Sequence, residues 1–191
     1  MTKPLTRNVK FSTKEELRAN ARKNYENGAV TSTYELDVNK VIQLLNEALA
    51  SEWICVLRYL RHYYMASGLF MDAVKEEFME HARQEQKHAE WLAERITQLG
   101  GAPDLNPAAF TDRSPTEYIE GHNLRDMVEA NLIAERIVID AYREAILYVG
   151  DYDTTTKRIL EKILAEEEDH ADDLSDMMEG LDGKAVSSKI L

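Results

Sequence analysis

Cysteine, proline and glycine are scarce in this chain of 191 residues, which contains one, four and eight of them respectively. The single cysteine, Cys55, cannot form an internal disulfide, so a reducing cytoplasm is the expected location. No proline occurs between Pro4 and Pro103, and therefore nothing breaks a helix in that stretch. With 30% charged residues, the composition favours an all-α protein over a β-sandwich or barrel.

Long apolar runs are also absent. No apolar segment approaches the roughly 20 residues needed to cross a bilayer, and residues 1–13 contain no apolar core of a signal peptide. We therefore expect no membrane association. The length still allows one domain with a full hydrophobic core.

Negative charge dominates the chain but is unevenly distributed. The net charge is −12, yet residues 1–24 carry seven basic and two acidic side chains, a balance of +5 that leaves −17 for the rest. An acidic body attracts cations and disfavours nucleic acid as the main partner. The basic arm keeps DNA binding open as an alternative, through Lys3, Arg7, Lys10, Lys14, Arg18, Arg22 and Lys23.

Capping signals predict one short helix and four long ones. Ser12 and Glu15 form a predicted capping box for the short helix, which we expect to end at Gly28. The long helices are predicted from their caps and apolar spacing at about 37–68, 71–99, 123–150 and 153–180. The predicted parts are a basic arm, a helical bundle and a tail, at residues 1–36, 37–180 and 181–191.

The link between the second and third long helices is much longer than the other two. Residues 101–122 contain Ser114, Pro115 and Glu117 in the order of a helix cap, first turn and third position, and Gly121 predicts the end of a small helix there. A link of this length reaches back along a whole helix. We therefore predict a four-helix bundle with one long crossover, as in ferritin-like folds.

One ligand pattern occurs twice on the long helices. It is a lone glutamate followed 33 or 32 residues later by Glu-x-x-His, first as Glu52, Glu85 and His88, then as Glu135, Glu167 and His170. In each Glu-x-x-His pair the two side chains lie one turn apart on one face. All six fall on stripes that are otherwise mostly apolar. This order of residues is typical of di-metal carboxylate sites inside four-helix bundles.

Buried carboxylates require compensating charge. Four glutamates repel one another in an apolar interior, and two neutral imidazoles cannot offset them, whereas two divalent cations bring the sum to zero. Oxygen-rich ligation with one imidazole per metal suits iron or manganese better than structural zinc. The alternative is a metal-free bundle in which the glutamates pair with Arg58, Arg61 or Arg136.

The chain resembles the ferritin-like superfamily, in its bacterioferritin and Dps-like branches. The segments that carry the resemblance, NEALASEW, RQEQKHAEW, NLIAERIVIDAYREAI and LAEEEDHADDL, lie within residues 38–180. The resemblance implies terminal ligands at Glu52 and Glu135, bridging ligands at Glu85 and Glu167, and imidazole ligands at His88 and His170. It further implies two iron ions per subunit, oxidation of Fe²⁺ by O₂ or H₂O₂, storage of Fe³⁺ in a hollow cage, and protection from oxidative stress.

Two departures from that pattern shape the expectation. Bacterioferritins carry a haem-ligating methionine directly after the first bridging glutamate, where this chain has Gln86, so we expect no haem. About ten residues follow the fourth helix, fewer than the fifth helix of 24-subunit cages requires. The resemblance therefore favours a 12-subunit homo-oligomeric cage with a bacterioferritin-type centre.

Four further residues lie near the predicted site. Tyr59 and Tyr142 each follow a terminal-type glutamate by seven residues, so both should point towards the site. They either donate electrons or hydrogen bonds to the site or are ordinary core tyrosines. His81 precedes Glu85 by one turn and is an extra ligand, an orienting residue or a hydrogen-bonded core histidine. Cys55 tunes the redox behaviour of the metals or acts as a small apolar residue.

The fourth helix carries an acidic face next to its apolar stripe. This face either collects Fe³⁺ and nucleates mineral or is simply solvated; it consists of Glu166, Glu168, Asp169, Asp172, Asp173 and Asp176.

Three rival functions remain open at this stage. A manganese catalase uses a similar cluster to disproportionate peroxide. A rubrerythrin-like peroxidase is disfavoured because the chain lacks the four cysteines of a rubredoxin-type iron site. The non-enzymatic rival is a DNA-binding protective shell of the Dps type.

Overall fold

The computed structural model describes residues 11–67 and 71–183, and within them all regular structure is helical. The prediction of an all-α bundle is confirmed. The α-helices are α1 (Lys14–Asn20), α2 (Val38–Met65), α3 (Met71–Gln98), α4 (Phe110–Arg113), α5 (Leu124–Val149) and α6 (Thr154–Leu181), with 3₁₀ turns at Tyr25–Asn27 and Pro107–Ala109.

Helix α1 begins one residue later than predicted. Its capping box is formed by Thr13 and Glu16, not by Ser12 and Glu15. Both pairs offer a hydroxyl with a glutamate three residues on, so the sequence cannot distinguish the two registers. The helix also ends at Asn20, well before Gly28. Helix α1 buries no residue, and the first ten residues of the basic arm lie outside the described residues.

The caps predicted for three long helices are present. The Asp37 carboxylate accepts from two backbone N–H groups at the start of α2, Asn123 accepts from Asp126 N–H at α5, and Asp153 accepts from Thr156 N–H at α6. Each side chain satisfies donors that a helix start otherwise leaves unpaired. These caps fix where α2, α5 and α6 begin.

All neighbouring helices of the bundle run antiparallel. Helix α2 packs on α3 and α5, and α6 packs on α5 and α3. Tyr59 of α2 meets Glu135 of α5, while Tyr142 of α5 meets Glu52 of α2, which sets the opposite directions of these two helices. Helices α3 and α5 therefore run the same way, and the chain must cross the length of the bundle between them.

The predicted long crossover is present and runs along α2, but its small helix is elsewhere. The helix is α4, and Ser114 ends it instead of starting a helix to Gly121. Phe110 of α4 is buried against Ala50 and Ile54 of α2, and this apolar contact fixes the turn. After Ser114 the crossover is not helical, and two of its backbone carbonyls accept hydrogen bonds from α2 side chains.

Two apolar clusters fill the bundle, one on each side of a polar layer. The first includes Leu45, Leu92 and Ile163, and the second includes Phe78 and Leu174. The six predicted ligands lie between these clusters. Of the described helices, none is long and apolar enough to span a membrane.

Candidate metal centre

The six predicted ligands lie in one buried layer contributed by all four long helices. Helix α2 supplies one glutamate and α5 another, while α3 and α6 each supply a Glu-x-x-His pair whose members share a face. None of the six is more than 2% exposed: Glu52, Glu85, His88, Glu135, Glu167 and His170. Burial of this many ionisable groups is unusual unless each charge has a partner.

The six side chains form two overlapping groups. One group contains Glu52 and His88 and the other contains Glu135 and His170; both contain Glu85 and Glu167. In each group the potential ligand atoms lie within 4.8 Å of one another. The arrangement therefore offers two neighbouring cation positions with two carboxylates in common.

The shared carboxylates divide their oxygens between the two histidines. His88 Nδ1 is 3.2 Å from Glu85 Oε2 and 3.0 Å from Glu167 Oε1. His170 Nδ1 is 3.6 Å from Glu85 Oε1 and 3.4 Å from Glu167 Oε2. When an ion lies about 2.1 Å from each of its ligand atoms, adjacent ligand atoms are roughly 3.0–3.4 Å apart. These distances therefore suit one ion on each side.

Two tyrosines bind the unshared glutamates in a crossed pattern. The Tyr59 hydroxyl donates to Glu135 Oε1, and the Tyr142 hydroxyl donates to Glu52 Oε1. Each tyrosine thereby serves the glutamate of the opposite helix. Each of these contacts occupies one carboxylate oxygen and leaves the second, Oε2, buried without a hydrogen-bond partner.

Sequence reasoning missed the outer partners of the two histidines. His88 Nε2 lies 3.0 Å from Glu166 Oε2, and His170 Nε2 lies 2.8 Å from Gln84 Oε1. Each partner is the residue directly before the shared glutamate of the opposite helix, so the antiparallel register of α3 and α6 is the signal that could have found both. A hydrogen bond at Nε2 orients the ring and leaves Nδ1 for the site.

Arginine does not compensate the buried carboxylates. The Arg58 guanidinium is fully buried, but it donates to Asn131, Cys55 and the Glu117 carbonyl. Arg61 pairs with Glu120. Among the described residues, no hydrogen bond or ion pair joins an arginine or lysine to the four buried glutamates, and the metal-free alternative loses its proposed partners.

Burial and mutual repulsion favour protons on the unshared glutamates. Burial raises the pKa of Glu52 well above its usual value, and the charges of Glu167 and Glu85 raise it further. Glu135 has a raised pKa for the same reasons. A protein without bound cations therefore holds protons at these two carboxyls near neutral pH.

The pKa values of the two histidines are raised as well. Burial lowers the pKa of His170, but the nearby carboxylates of Glu167 and Glu85 outweigh burial and raise it to about 11. The pKa of His88 is raised further, again against burial, by hydrogen bonds with Glu167, Glu52 and Glu85. Protons therefore occupy the site wherever cations do not, and cation binding must displace them.

Buried atoms of this layer that lack a hydrogen-bond partner indicate whether cations would fit between them. Seven buried side-chain atoms lack a hydrogen-bond partner in the described chain, and five of them belong to this site: Glu52 Oε2, Glu85 Oε1, Glu135 Oε2, Glu167 Oε2 and His170 Nδ1. Buried polar atoms are normally paired. Five unpaired ligand-type atoms that converge on one layer fit a pair of cations.

His81 and Cys55 lie beside the layer. The His81 ring is buried, its Nδ1 is 3.1 Å from the Tyr59 hydroxyl, and it stacks on His170 with 4.1 Å between centroids. Burial, followed by the charge of His170, lowers the pKa of His81 to about 3, so this ring is neutral. Burial raises the pKa of the Cys55 thiol, which accepts from Arg58 and is an unreactive neutral group.

An antiparallel four-helix bundle with one crossover and a buried Glu₄His₂ layer has the architecture of the carboxylate-bridged di-metal proteins. The family of proteins with a ferritin-like domain matches residues 42–183. The chain is 33% identical over 148 residues to a bacterioferritin of Mycolicibacterium paratuberculosis, which covers 77% of this chain and 89% of the relative. The chain therefore belongs to the ferritin-like family.

Two solved structures agree with this assignment. A dodecameric thioferritin, the bacterioferritin-related protein of Bacteroides fragilis, superposes with a TM-score of 0.74 at 32% identity, covering 80% of this chain and 94% of that one. The Dps protein of Thermosynechococcus elongatus gives a TM-score of 0.71 at 18% identity, covering 73% and 90%. The second likeness concerns the fold alone.

Proposed function

We propose that this chain is a ferroxidase and iron-storage protein that oxidises Fe²⁺ at a di-metal site within each subunit. The observation that carries the proposal is the division of the Glu85 and Glu167 oxygens between two imidazoles. Carboxylates placed in this way would hold two ions close enough to react with one oxidant molecule. Kinship with bacterioferritins supports the same activity.

The remaining predicted ligands would complete the coordination of each ion separately. Glu52 and His88 would bind one ion, and Glu135 and His170 would bind the other. Four carboxylates, two neutral imidazoles and two divalent ions sum to zero charge, which suits a buried site. An oxygen-rich set with one nitrogen per ion favours iron and accepts manganese.

We expect no haem in this protein. Gln86 is exposed on α3, where its amide donates to Glu90, and offers no thioether to haem iron. The di-metal site is thus the proposed redox centre, and Fe²⁺ is its substrate. The absorption spectrum of the purified protein tests for haem directly.

The reaction balances with either oxidant. Two Fe²⁺ ions each give up one electron to H₂O₂, which takes two protons and becomes two water molecules. With O₂ as the oxidant, the same two electrons and two protons yield H₂O₂. Tyr59 and Tyr142 hold the outer carboxylates in place, and the apolar cluster that includes Ile163 excludes water from one side of the layer.

Storage requires a cage, and we propose a homo-oligomer of twelve subunits. The dodecameric relative from Bacteroides fragilis supports that number. Twelve chains of 21.9 kDa have a mass of about 263 kDa, and light scattering measures it. A monomer or dimer would contradict storage while leaving the oxidation chemistry intact.

The activity is tested by Fe²⁺ oxidation in Glu85→Gln and Glu90→Gln. The first variant removes a shared carboxylate, whereas the second makes the same chemical change on the exposed face of α3. We expect fast oxidation to be lost in the first and retained in the second. Wild-type rates in Glu85→Gln would refute the assignment.

Two rivals have their own readouts. Oxygen evolution from H₂O₂ by the manganese-loaded protein, without added iron, would select a catalase. A DNA complex that survives physiological salt and is lost on deletion of residues 1–24 would support a DNA-binding shell. The balance of +5 comes from the first ten residues (+3) and from Arg22 and Lys23 (+2), and α1 between them buries no residue.

A further inference from the structure

We propose that the groove between α2 and α5 binds molecular oxygen and is its route to the buried layer of proposed ligands. The groove is a cavity of about 530 Å³ between the two helices that carry the unshared glutamates. Since α2 packs on α3 and α5 packs on α6, it lies on the side of the layer opposite to the α3–α6 contact. Its use as a route rests on the proposed function, whereas its affinity for an apolar gas does not.

The floor of this groove is apolar and closed to bulk water. Ala141 and Glu144 on its outer edge are exposed. Five core side chains on the floor are no more than 3% exposed: Val41, Leu45, Val138, Tyr142 and Leu160. They belong to the apolar cluster that lies against the buried layer. The groove is therefore open to solvent outside and ends inside on closely packed apolar side chains.

The floor reaches the side chains next to the unshared glutamates. Tyr142 lines the groove, and its hydroxyl donates to Glu52 Oε1. Two other lining residues lie about one helical turn from the unshared glutamates, since Ala48 precedes Glu52 on α2 and Val138 follows Glu135 on α5. The Tyr142 side chain alone therefore spans the distance from the groove to a proposed ligand.

Polar groups on the floor are already hydrogen-bonded within the protein. Ser51 Oγ lies 3.0 Å from Ser114 Oγ and shares a hydrogen bond with it. Thr156 Oγ1 donates to Asp153, and the Tyr142 hydroxyl donates to its glutamate. A polar ligand would lose its hydrogen bonds to water on this floor without replacing them. Apolar cavities accept small apolar molecules such as xenon, and O₂ is the apolar reactant of the proposed oxidation.

The α3–α6 side of the layer has the opposite character. A cavity of about 320 Å³ there is lined by six acidic side chains together with His81, Gln84 and His170. Acidic walls attract cations, and polar walls also suit H₂O₂, which keeps hydrogen bonds there that it would lose in the apolar groove. We therefore expect Fe²⁺ and H₂O₂ to enter by the acidic cavity and O₂ to enter by the groove.

Xenon tests the binding site without any measurement of activity. Crystals pressurised with xenon should show an anomalous peak on the floor beside Tyr142 in the wild type and in Ala130→Phe, and none there in Ala48→Phe. Both alanines are half-buried, but Ala130 lines a separate groove between α5 and the crossover. A wild type without this peak, or a peak that persists in Ala48→Phe, would overturn the proposal. Ala145→Phe fills the same groove from α5 and serves if Ala48→Phe does not fold.

Stopped-flow measurement of Fe²⁺ oxidation tests the route. With O₂ as the limiting oxidant, we expect the rate constant for O₂ to fall about 10-fold in Ala48→Phe, which corresponds to an added barrier of about 1.4 kcal/mol. With H₂O₂ under anaerobic conditions the rate should equal that of the wild type, which also shows that the proposed ligands are intact. Ala130→Phe should keep wild-type rates with both oxidants.

The two oxidants separate the possible outcomes. Wild-type O₂ rates in Ala48→Phe and Ala145→Phe would show that O₂ enters elsewhere, and equal slowing with O₂ and H₂O₂ in both variants would contradict a route specific for O₂. Either result overturns the route. A wild-type chain that oxidises Fe²⁺ with neither oxidant would refute the proposed function instead, and the xenon peak would then decide alone whether the groove binds an apolar gas.

Discussion

The two halves of the bundle, α2–α3 and α5–α6, match at the six proposed ligands and differ around them. Each half supplies a lone glutamate, a Glu-x-x-His pair and a tyrosine that crosses to the other half. One turn before the shared glutamate, however, α3 has His81 beside an acidic cavity, whereas α6 has Ile163 inside an apolar cluster. The geometry of the proposed ligands is duplicated, but a polar path from solvent to the buried layer is present on one side only of the part of the bundle compared here.

A second difference concerns the outer partners of the histidines. His88 meets a carboxylate, Glu166, whereas His170 meets an amide, Gln84. A carboxylate makes the imidazole a stronger electron donor than an amide does. We therefore expect the two proposed ion positions to differ in affinity although their ligand sets are the same.

The largest expected effect separates shared from unshared glutamates. Glu85→Gln and Glu167→Gln each replace a carboxylate that both groups use, so both ions should bind at least about 100-fold more weakly. Glu52→Gln and Glu135→Gln should each weaken one ion only. Anaerobic titration with Mn²⁺, followed by calorimetry and electron paramagnetic resonance, resolves the two patterns. Identical losses in all four variants would contradict the division of oxygens.

Removal of the tyrosine hydroxyls comes next. Tyr142→Phe frees Glu52 alone, while Tyr59→Phe frees Glu135 and also removes the hydrogen-bond partner of His81 Nδ1. We expect Fe²⁺ oxidation to slow about 10-fold in the first and further in the second, since outer hydrogen bonds typically contribute 10- to 100-fold. Equal effects of the two changes would mean that His81 does not matter to the reaction.

An exchange of outer partners should have a smaller effect. Glu166→Gln gives His88 the same kind of partner as His170, and we expect the ion on that side to bind roughly 3- to 10-fold more weakly. Gln84→Glu should strengthen the ion on the His170 side. Two-step Mn²⁺ titrations measure both changes. The comparison fails if the two variants affect the same ion.

The smallest effect is the pH dependence of thermal stability without metal. The folded state raises the pKa of His170 to about 11 and of Glu52 well above normal, so the folded protein binds these protons more tightly than the unfolded chain. Stability from His170 is complete below its unfolded pKa of about 6.5 and is lost as pH rises towards 11. For Glu52, ionisation in the unfolded chain above about pH 4.3 lowers stability in the same direction.

We therefore expect the metal-free melting temperature to fall by about 5 °C or more between pH 5 and pH 9. Added Mn²⁺ should reverse the trend, because metal binding displaces the same protons and strengthens with pH. Scanning calorimetry with and without Mn²⁺ measures both slopes. A metal-free melting temperature that is constant or rises with pH would contradict the protonation of the empty ligands.

Sequence reasoning worked best where helix geometry alone decides the outcome. The 3–4 spacing placed Glu85 and His88 on one core face, and caps such as Asp37 fixed helix starts. Contacts across helices were harder to predict. Gln84 meets His170 only because α3 and α6 pack in one particular register, which no local pattern contains.

The crossover also shows where local signals fail. Ser114 and Glu117 satisfy the rules for a helix start, yet burial of Phe110 fixes the turn before them. Similarly, Arg58 looked like a partner for buried glutamates, but it is held by the crossover backbone and Asn131. Tertiary contacts override capping and charge patterns at both places.

Anomalous diffraction at the iron edge, from crystals soaked anaerobically in Fe²⁺, tests the central claim most directly. We expect two neighbouring peaks in the buried layer, one beside His88 Nδ1 and one beside His170 Nδ1, with Glu85 and Glu167 bridging them. A layer without iron, in which the carboxylates and imidazoles keep their protons, would contradict the account.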